Sequence, residues 1–207
     1  MAKAYRSVHV QAYSGKINYL SDALTVTLHS SSYSPNLDTD AYVSNLTNEL
    51  ATGGGYTSGG QLLSGRALTY TAANSWGTAA AVSTAYAVET VVRPAAGNGY
   101  LYRCVIAGTS GGSAPTWSTV IGAQTTDGGV TWETVGRGVV QFTATSPSWA
   151  SATFGPCRYL VVSDRTPGTS ATQPLLALVD FGTDQTGGGG VFQVTWATQG
   201  ILLIFIP

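Results

Sequence analysis

The sequence predicts a mainly β protein, and three observations lead to this prediction. Apolar and polar residues alternate with a period of two in several segments, such as Ala23–Ser30, where Leu24, Val26 and Leu28 alternate with threonines. Gly, Ser and Thr interrupt nearly every segment in which a helix would otherwise form. Glycine-rich segments separate the alternating stretches and predict turns or loops.

The alternating stretches predict the strands of a β-sandwich or jelly-roll-like core. Their β-branched and aromatic side chains suit a pleated, half-buried surface. The four glycines at 187–190 lie between two of them and predict the tip of a hairpin. The predicted strands are Ala23–Ser30, Arg66–Thr71, Val139–Thr145, Arg158–Ser163, Leu175–Phe181, Val191–Trp196 and Ile201–Ile206.

One short helix is predicted after the first strand, ending at Leu50. Asp38 or Thr39 is a suitable N-cap, and the glycines at 53–55 are suited to end the helix. The apolar residues that recur at helical spacing are Tyr42, Val43, Leu46 and Leu50.

The middle of the chain differs from the rest and predicts a small inserted β module at Ala81–Arg137. Three short strands are predicted within it, at Thr90–Arg93, Tyr100–Ile106 and Val130–Val135, and Asp127–Gly128 is a turn signal before the third. The remaining residues, 1–80 and 138–207, then form a discontinuous β core domain. A chain of 207 residues is long enough for this organisation.

Tyr100, Tyr102 and Trp117 are the candidate contact residues of the predicted module. Exposed tyrosine and tryptophan rings can stack on sugar rings with little help from charge. The alternative is that the aromatic residues form the core of a small sheet that has few aliphatic residues. For Trp132, in a strand pattern, the core interpretation is favoured, and for Trp117 both interpretations stay open.

The composition argues against nucleic-acid and membrane partners. Charged residues make up 9% of the chain, against about 25% in a typical domain. The net charge is −1 and no basic stripe is present, so electrostatic attraction to nucleic acid is not expected. The most apolar run, Gly200–Pro207, is shorter than the roughly 20 residues that cross a bilayer and predicts a buried strand.

No catalytic motif is recognisable, so we predict neither an enzyme nor a cofactor. His9 and His29 are the only histidines, and each lies in a pattern that predicts a strand. A glycan depolymerase would need a pair of carboxylates at suitable spacing, whereas Glu49, Glu89 and Glu133 are scattered over three segments.

No metal site is predicted either. Asp38 and Asp40 have a spacing that occurs in cation sites, but helix capping explains them and is the favoured interpretation. Cys104 and Cys157 lie far apart in the sequence and are predicted to be buried free thiols rather than a disulfide.

Three segments resemble a group of small virion proteins of tailed bacteriophages. They are Tyr33–Tyr70, Ser146–Asp164 and Pro174–Ile204. In the first segment the matching residues are Asn36, Asp38, Asp40, Tyr42, Leu46, Glu49, Gly55, Tyr56, Gly59, Gly60 and Leu62.

The middle module resembles a recurrent insertion in phage tail and surface proteins. It departs from the usual pattern at Glu89–Thr90, where a Gly-Asp turn is common. The matching residues are Tyr86, Val92, Arg93, Pro94, Tyr102, Cys104, Gly108, Pro115, Thr116, Trp117, Asp127, Gly128, Thr131 and Trp132.

These resemblances imply a non-enzymatic protein that is made in the host cytoplasm and located on the virion. The leading expectation is a capsid decoration or cement protein that contacts the major capsid protein, associates with itself as a homotrimer and projects the module outward. The second expectation is a tail-associated fibre or adhesin protein that contacts other tail proteins. In that case the module binds host-surface glycan through Trp117, Tyr100 or Tyr102.

Overall fold

A computed structural model describes residues 2–207, and it confirms the predicted mainly β class. Strands hold 40% of the chain and helical segments 6%. The strands form several antiparallel sheets, as in a sandwich-like fold. Among the described residues, no helix has the length and apolarity needed to cross a membrane.

Within residues 2–207 there is one α-helix, α1, which spans Ser7–Tyr13, and two 3-10 turns span Val43–Asn45 and Ala73–Ser75. In chain order the strands are β1 Lys3–Ala4, β2 Leu24–His29, β3 Gln61–Leu62, β4 Ala67–Ala72, β5 Ala85–Tyr86, β6 Val91–Val92, β7 Leu101–Ile106, β8 Gly108–Thr109, β9 Gln124–Asp127, β10 Val130–Gly136, β11 Gly138–Thr143, β12 Ser148–Trp149, β13 Cys157–Asp164, β14 Leu175–Gln185, β15 Phe192–Gln193 and β16 Leu202–Ile206.

The chain forms two compact units, and unit 1 consists of residues 1–68 and 142–202. Its five-stranded sheet has the order β1-β14-β13-β2-β3. Successive residues of β13 point to opposite faces, and both faces are covered: Leu160 and Val162 belong to one buried cluster and Val161 to another. Burial on both faces explains why β2 and β13 contain few exposed residues.

The predicted helix ending at Leu50 is wrong, because residues 43–45 make a single 3-10 turn and the rest of the segment is irregular. The side-chain oxygens of Asn36 and Asn45 each accept hydrogen bonds from two backbone N–H groups within residues 38–42. Such bonds compete with the hydrogen bonds of a helix and favour turns instead.

The α-helix lies instead near the N-terminus, where the sequence pattern predicted a strand around His9. Val8 and Gln11, three residues apart, are the buried residues of α1, and His9 is exposed. Residues three positions apart lie on the same face of an α-helix, so Val8 and Gln11 form the buried face of α1.

The glycines at 187–190 do not form the predicted hairpin tip. The strand that follows them, β15, is only two residues long and pairs with β12 rather than with β14. Gly189 N–H donates to Ala152 O, and a Cβ atom on Gly187 would lie 2.5 Å from the carbonyl of Ala152. The run therefore provides glycines where two backbone segments approach closely.

Unit 2 consists of residues 69–141 and 203–207. It contains a four-stranded sheet of order β6-β7-β10-β9, the pair β5-β8, and most of a three-stranded sheet of order β16-β11-β4. The predicted module, Ala81–Arg137, lies within this unit, which also includes residues on either side of it and the C-terminal segment.

A shared core explains why unit 2 extends beyond the predicted module. Trp76 is buried with Val91 and Leu101, and its Nε1 atom donates to Val91 O at 3.0 Å. Val139 belongs to the same buried cluster, and Phe205 packs against it. Residues that are distant in sequence therefore complete one core, and local patterns do not reveal that arrangement.

Candidate functional site

The aromatic residues of the module, which carried the predicted contact site, form one cluster around Trp132. Strand β10 pairs with β7 and β9, and Trp132 at its centre is completely buried. Its Nε1 atom donates to Asp127 Oδ2 at 3.2 Å, and the ring of Tyr86 packs edge-on at 4.9 Å. The predicted core role of Trp132 is confirmed.

Tyr102, a predicted contact residue, is also completely buried. Its ring centroid lies 4.3 Å from that of Trp117, and its hydroxyl group donates to Ser118 O and accepts a hydrogen bond from Asn98 Nδ2. Burial raises the pKa of Tyr102, so this hydroxyl group stays protonated at neutral pH. Because its ring has no open face, Tyr102 does not offer a stacking surface.

Tyr100 and Trp117, the other two predicted contact residues, are partly exposed. The guanidinium group of Arg137 lies 4.9 Å from the ring centroid of Tyr100, and Arg137 Nη2 also donates to the Tyr100 hydroxyl group at 2.5 Å. A sugar would have to displace this cation from the ring face. Trp117 packs against Tyr102 and Trp132 and presents its remaining surface to solvent.

His29 lies in β2, as predicted, and its surroundings keep it neutral. It is almost fully buried, with Thr27 Oγ1 at 2.9 Å from one ring nitrogen and Thr47 O at 2.8 Å from the other. Burial lowers the pKa of His29. Both nitrogens are therefore occupied within the fold, and the ring is not presented to a substrate.

The acidic pair Asp38 and Asp40 is engaged with neighbouring residues. Asp38 Oδ1 accepts a hydrogen bond from Arg6 Nε at 2.5 Å, and Asp40 Oδ2 accepts hydrogen bonds from the Tyr33 hydroxyl group and Asn36 N–H. Within residues 2–207, no group of three or more His, Cys, Asp or Glu side chains is arranged to hold a metal ion.

The two cysteines are buried free thiols, as predicted. Cys104 Sγ donates to Ile106 O, and burial raises its pKa. Burial also raises the pKa of Cys157 to about 11. Both groups are therefore protonated at neutral pH and unreactive as nucleophiles.

The surface carries a second candidate contact region, which the sequence patterns did not reveal. Strand β4 is at the edge of its sheet, and five of its six residues are exposed, so neither face is fully covered. Leu68 and Tyr70 are 46% and 59% exposed. The predicted strand Arg66–Thr71 identified this segment, but its pattern indicated one buried face.

Unit 1 also has an open surface groove with neutral lining. Its volume is about 320 Å³, and it lies between the glycine-rich turn containing Gly55 and Gly60 and the short strand containing Trp149. The lining contains no carboxylate, histidine or cysteine, so the groove carries no acid–base or metal chemistry.

No protein-family model, curated protein or solved structure matches the chain.

Proposed function

We propose that this chain is a structural protein of a tailed-phage virion and that it decorates or cements the capsid surface. The observation that carries the proposal is a neutral, β-rich surface: charged residues make up 9% of the chain, and apolar side chains such as Val10, Tyr13 and Tyr70 are well exposed. Particle subunits bury much of their surface against neighbours, and few charges have to be desolvated when they do so.

The resemblance of three segments to virion proteins supports the same proposal. In this function the chain contacts the major capsid protein and associates with itself as a closed homo-oligomer, with a trimer as the initial expectation. The buried His29, the carboxylates of Asp38 and Asp40 and the two buried thiols all make contacts within the fold, which favours a structural function over an enzymatic one.

The test is a comparison of phage particles with and without this protein. We expect particles that lack it to release their DNA at lower temperature or lower salt than complete particles. Adding the purified protein back should restore their resistance. Equal resistance of both kinds of particle would exclude the cementing function.

The second candidate function is a tail-associated adhesin that binds host-surface glycan, and the partial exposure of Trp117 and Tyr100 favours it. Trp117→Ala should then abolish binding of the purified protein to host cells. Val120→Ala, an exposed apolar position of the same unit, is the matched control. If Trp117→Ala binds as the unchanged protein does, the stacking site is not Trp117.

A further inference from the structure

Strand β4 lies at the edge of its sheet, and no other strand within residues 2–207 pairs with its outer side. Ala73 N–H donates to Arg137 O, and Thr143 Oγ1 donates to Ala67 O. Since N–H and C=O groups of a strand alternate in direction, the odd-numbered residues of β4 face β11. The even-numbered residues, Leu68, Tyr70 and Ala72, then direct their N–H and C=O groups away from the sheet.

This edge lacks the features that normally prevent two edges from pairing. Natural edge strands are protected by charged residues, proline, bulges or covering segments. Ala67–Ala72 contains no charged residue and no proline, and five of its six residues are exposed. An extended strand is the protein partner that suits these groups, because it offers donors and acceptors at the same spacing and can replace the water bound there.

We propose that two copies of this chain pair through β4, antiparallel, with Tyr70 opposite Tyr70 of the second copy on a twofold axis. In this register Leu68 lies opposite Ala72 of the second copy. Each of the three residues whose N–H and C=O groups point outward therefore lies opposite such a residue of the other strand. Arg66, the nearest charged residue, precedes β4, and the 3-10 turn Ala73–Ser75 follows it, so no charged residue lies within the paired segment. The pairing therefore brings no like charges together, which favours a second copy over a charged partner strand.

The pairing deepens the proposed function, because it rests on the self-association that this function includes. One pair of strands buries less than the roughly 1,200 Å² of a stable interface, so we expect a weak dimer in solution. On a particle surface, neighbouring copies have a high effective concentration, and a weak contact is then sufficient. A twofold contact also differs from the threefold assembly that the resemblance suggested.

Ala72→Pro tests the pairing with little effect on the fold. Ala72 has φ −66°, which proline adopts without strain, and its N–H group points outward, so the β4–β11 hydrogen bonds remain. Sedimentation over a concentration series should show dimers of the unchanged protein. The variant should dimerise at least about tenfold more weakly, because two symmetry-related hydrogen bonds are lost.

A cysteine crosslink tests the register. Opposed residues of a hydrogen-bonded antiparallel pair have Cα atoms about 5.5 Å apart, within the range of a disulfide. Tyr70→Cys should therefore form a crosslinked dimer on mild oxidation. In the control, Leu68→Cys, the two introduced thiols lie four residues apart along the strands, roughly 13 Å, and should not crosslink.

The native thiols do not interfere with this test, because both are buried. A monomer at all concentrations without a Tyr70→Cys crosslink would overturn the pairing, as would a trimer that Ala72→Pro leaves unchanged. If Ala72→Pro does not fold, the crosslink decides. A crosslinked dimer of a protein that is absent from phage particles would leave the pairing intact and contradict only the proposed function.

Discussion

The hydroxyl group of Tyr56 links two segments of unit 1 to the sheet. It accepts a hydrogen bond from Leu28 N–H in β2 and donates to Glu49 Oε1 at 2.7 Å. Glu49 Oε1 also accepts a hydrogen bond from Gly59 N–H, which fixes the glycine-rich turn. Burial raises the pKa of Tyr56, so the hydroxyl group remains a donor at neutral pH.

Tyr56→Phe should lower the free energy of unfolding by about 1–3 kcal/mol, because a buried backbone N–H group and a carboxylate each lose a partner. Denaturant unfolding measures the change. Tyr13→Phe removes a hydroxyl group from a ring that is 84% exposed and should have almost no effect. Equal effects of the two substitutions would show that the Tyr56 hydroxyl group is not a structural link.

Asp164 is a buried carboxylate at the end of β13. Its Oδ1 atom accepts a hydrogen bond from Thr166 N–H, whereas Oδ2 has no hydrogen-bond partner among the described residues. Burial raises the pKa of Asp164, and the neighbouring carboxylate of Asp22 raises it further. The folded state thus holds a proton on this group at pH values where the unfolded chain has lost it.

The contribution of Asp164 to stability is therefore fully present below the ordinary pKa of 3.8 and is lost as the pH rises through the raised pKa. Asp164→Asn should remove this loss and increase the free energy of unfolding near neutral pH by roughly 1 kcal/mol. Thermal unfolding across a pH series measures the change.

Asp180 is a control for the pH series, because its pKa is shifted in the opposite direction to that of Asp164. The guanidinium group of Arg158, 2.5 Å away, lowers the pKa of Asp180, so its contribution to stability is present at neutral pH and lost as the pH falls. Asp180→Asn should therefore weaken the dependence of the unfolding free energy on pH, and only in the acidic range. If Asp164→Asn lowers stability at neutral pH, its carboxylate has a partner that this interpretation omits.

At the scale of the elements, the direction of each peptide group in β4 determines which prolines are tolerated. The N–H group of Thr71 faces β11, and that of Ala72 faces outward. Thr71→Pro should therefore lower the free energy of unfolding by about 3 kcal/mol. Ala72→Pro should change it by no more than about 1 kcal/mol. If thermal unfolding shows equal losses of stability for Thr71→Pro and Ala72→Pro, the outward and inward residues of β4 are assigned incorrectly.

Strands with a clear alternating pattern were predictable from sequence. Arg158–Ser163 corresponds to β13, and Ala23–Ser30 corresponds to β2. The helix was misplaced because asparagine side chains replace helical hydrogen bonds near Asn36, an effect that residue spacing does not reveal. The strand predicted at Val191–Trp196 is reduced to two residues, because its partner β12 is equally short.

The candidate site was predictable only in part. The sequence identified the aromatic residues of the module and the core role of Trp132. The module has few aliphatic residues, so indole rings had to supply much of its apolar core. It did not separate the buried ring of Tyr102 from the partly exposed ring of Trp117, since that difference depends on which strands meet in three dimensions. The exposure of β4 was missed for the same reason.

At the scale of the whole molecule, the neutral surface is the feature that the proposed function explains. A net charge of −1 and 9% charged residues give little long-range attraction to nucleic acid or to a charged partner. Specific contacts then depend on exposed apolar side chains and on unpaired backbone groups such as those of β4. These two kinds of contact group favour a protein that occupies fixed positions among copies of itself and other subunits.

The most direct test of the proposed virion function is the number of copies of this chain in purified phage particles from a culture in which the chain is expressed, measured by quantitative mass spectrometry. We expect a high copy number, comparable with that of the major capsid protein. A number as low as that of tail-fibre proteins would favour the adhesin function. Absence of the chain from intact particles would contradict a structural role in the virion.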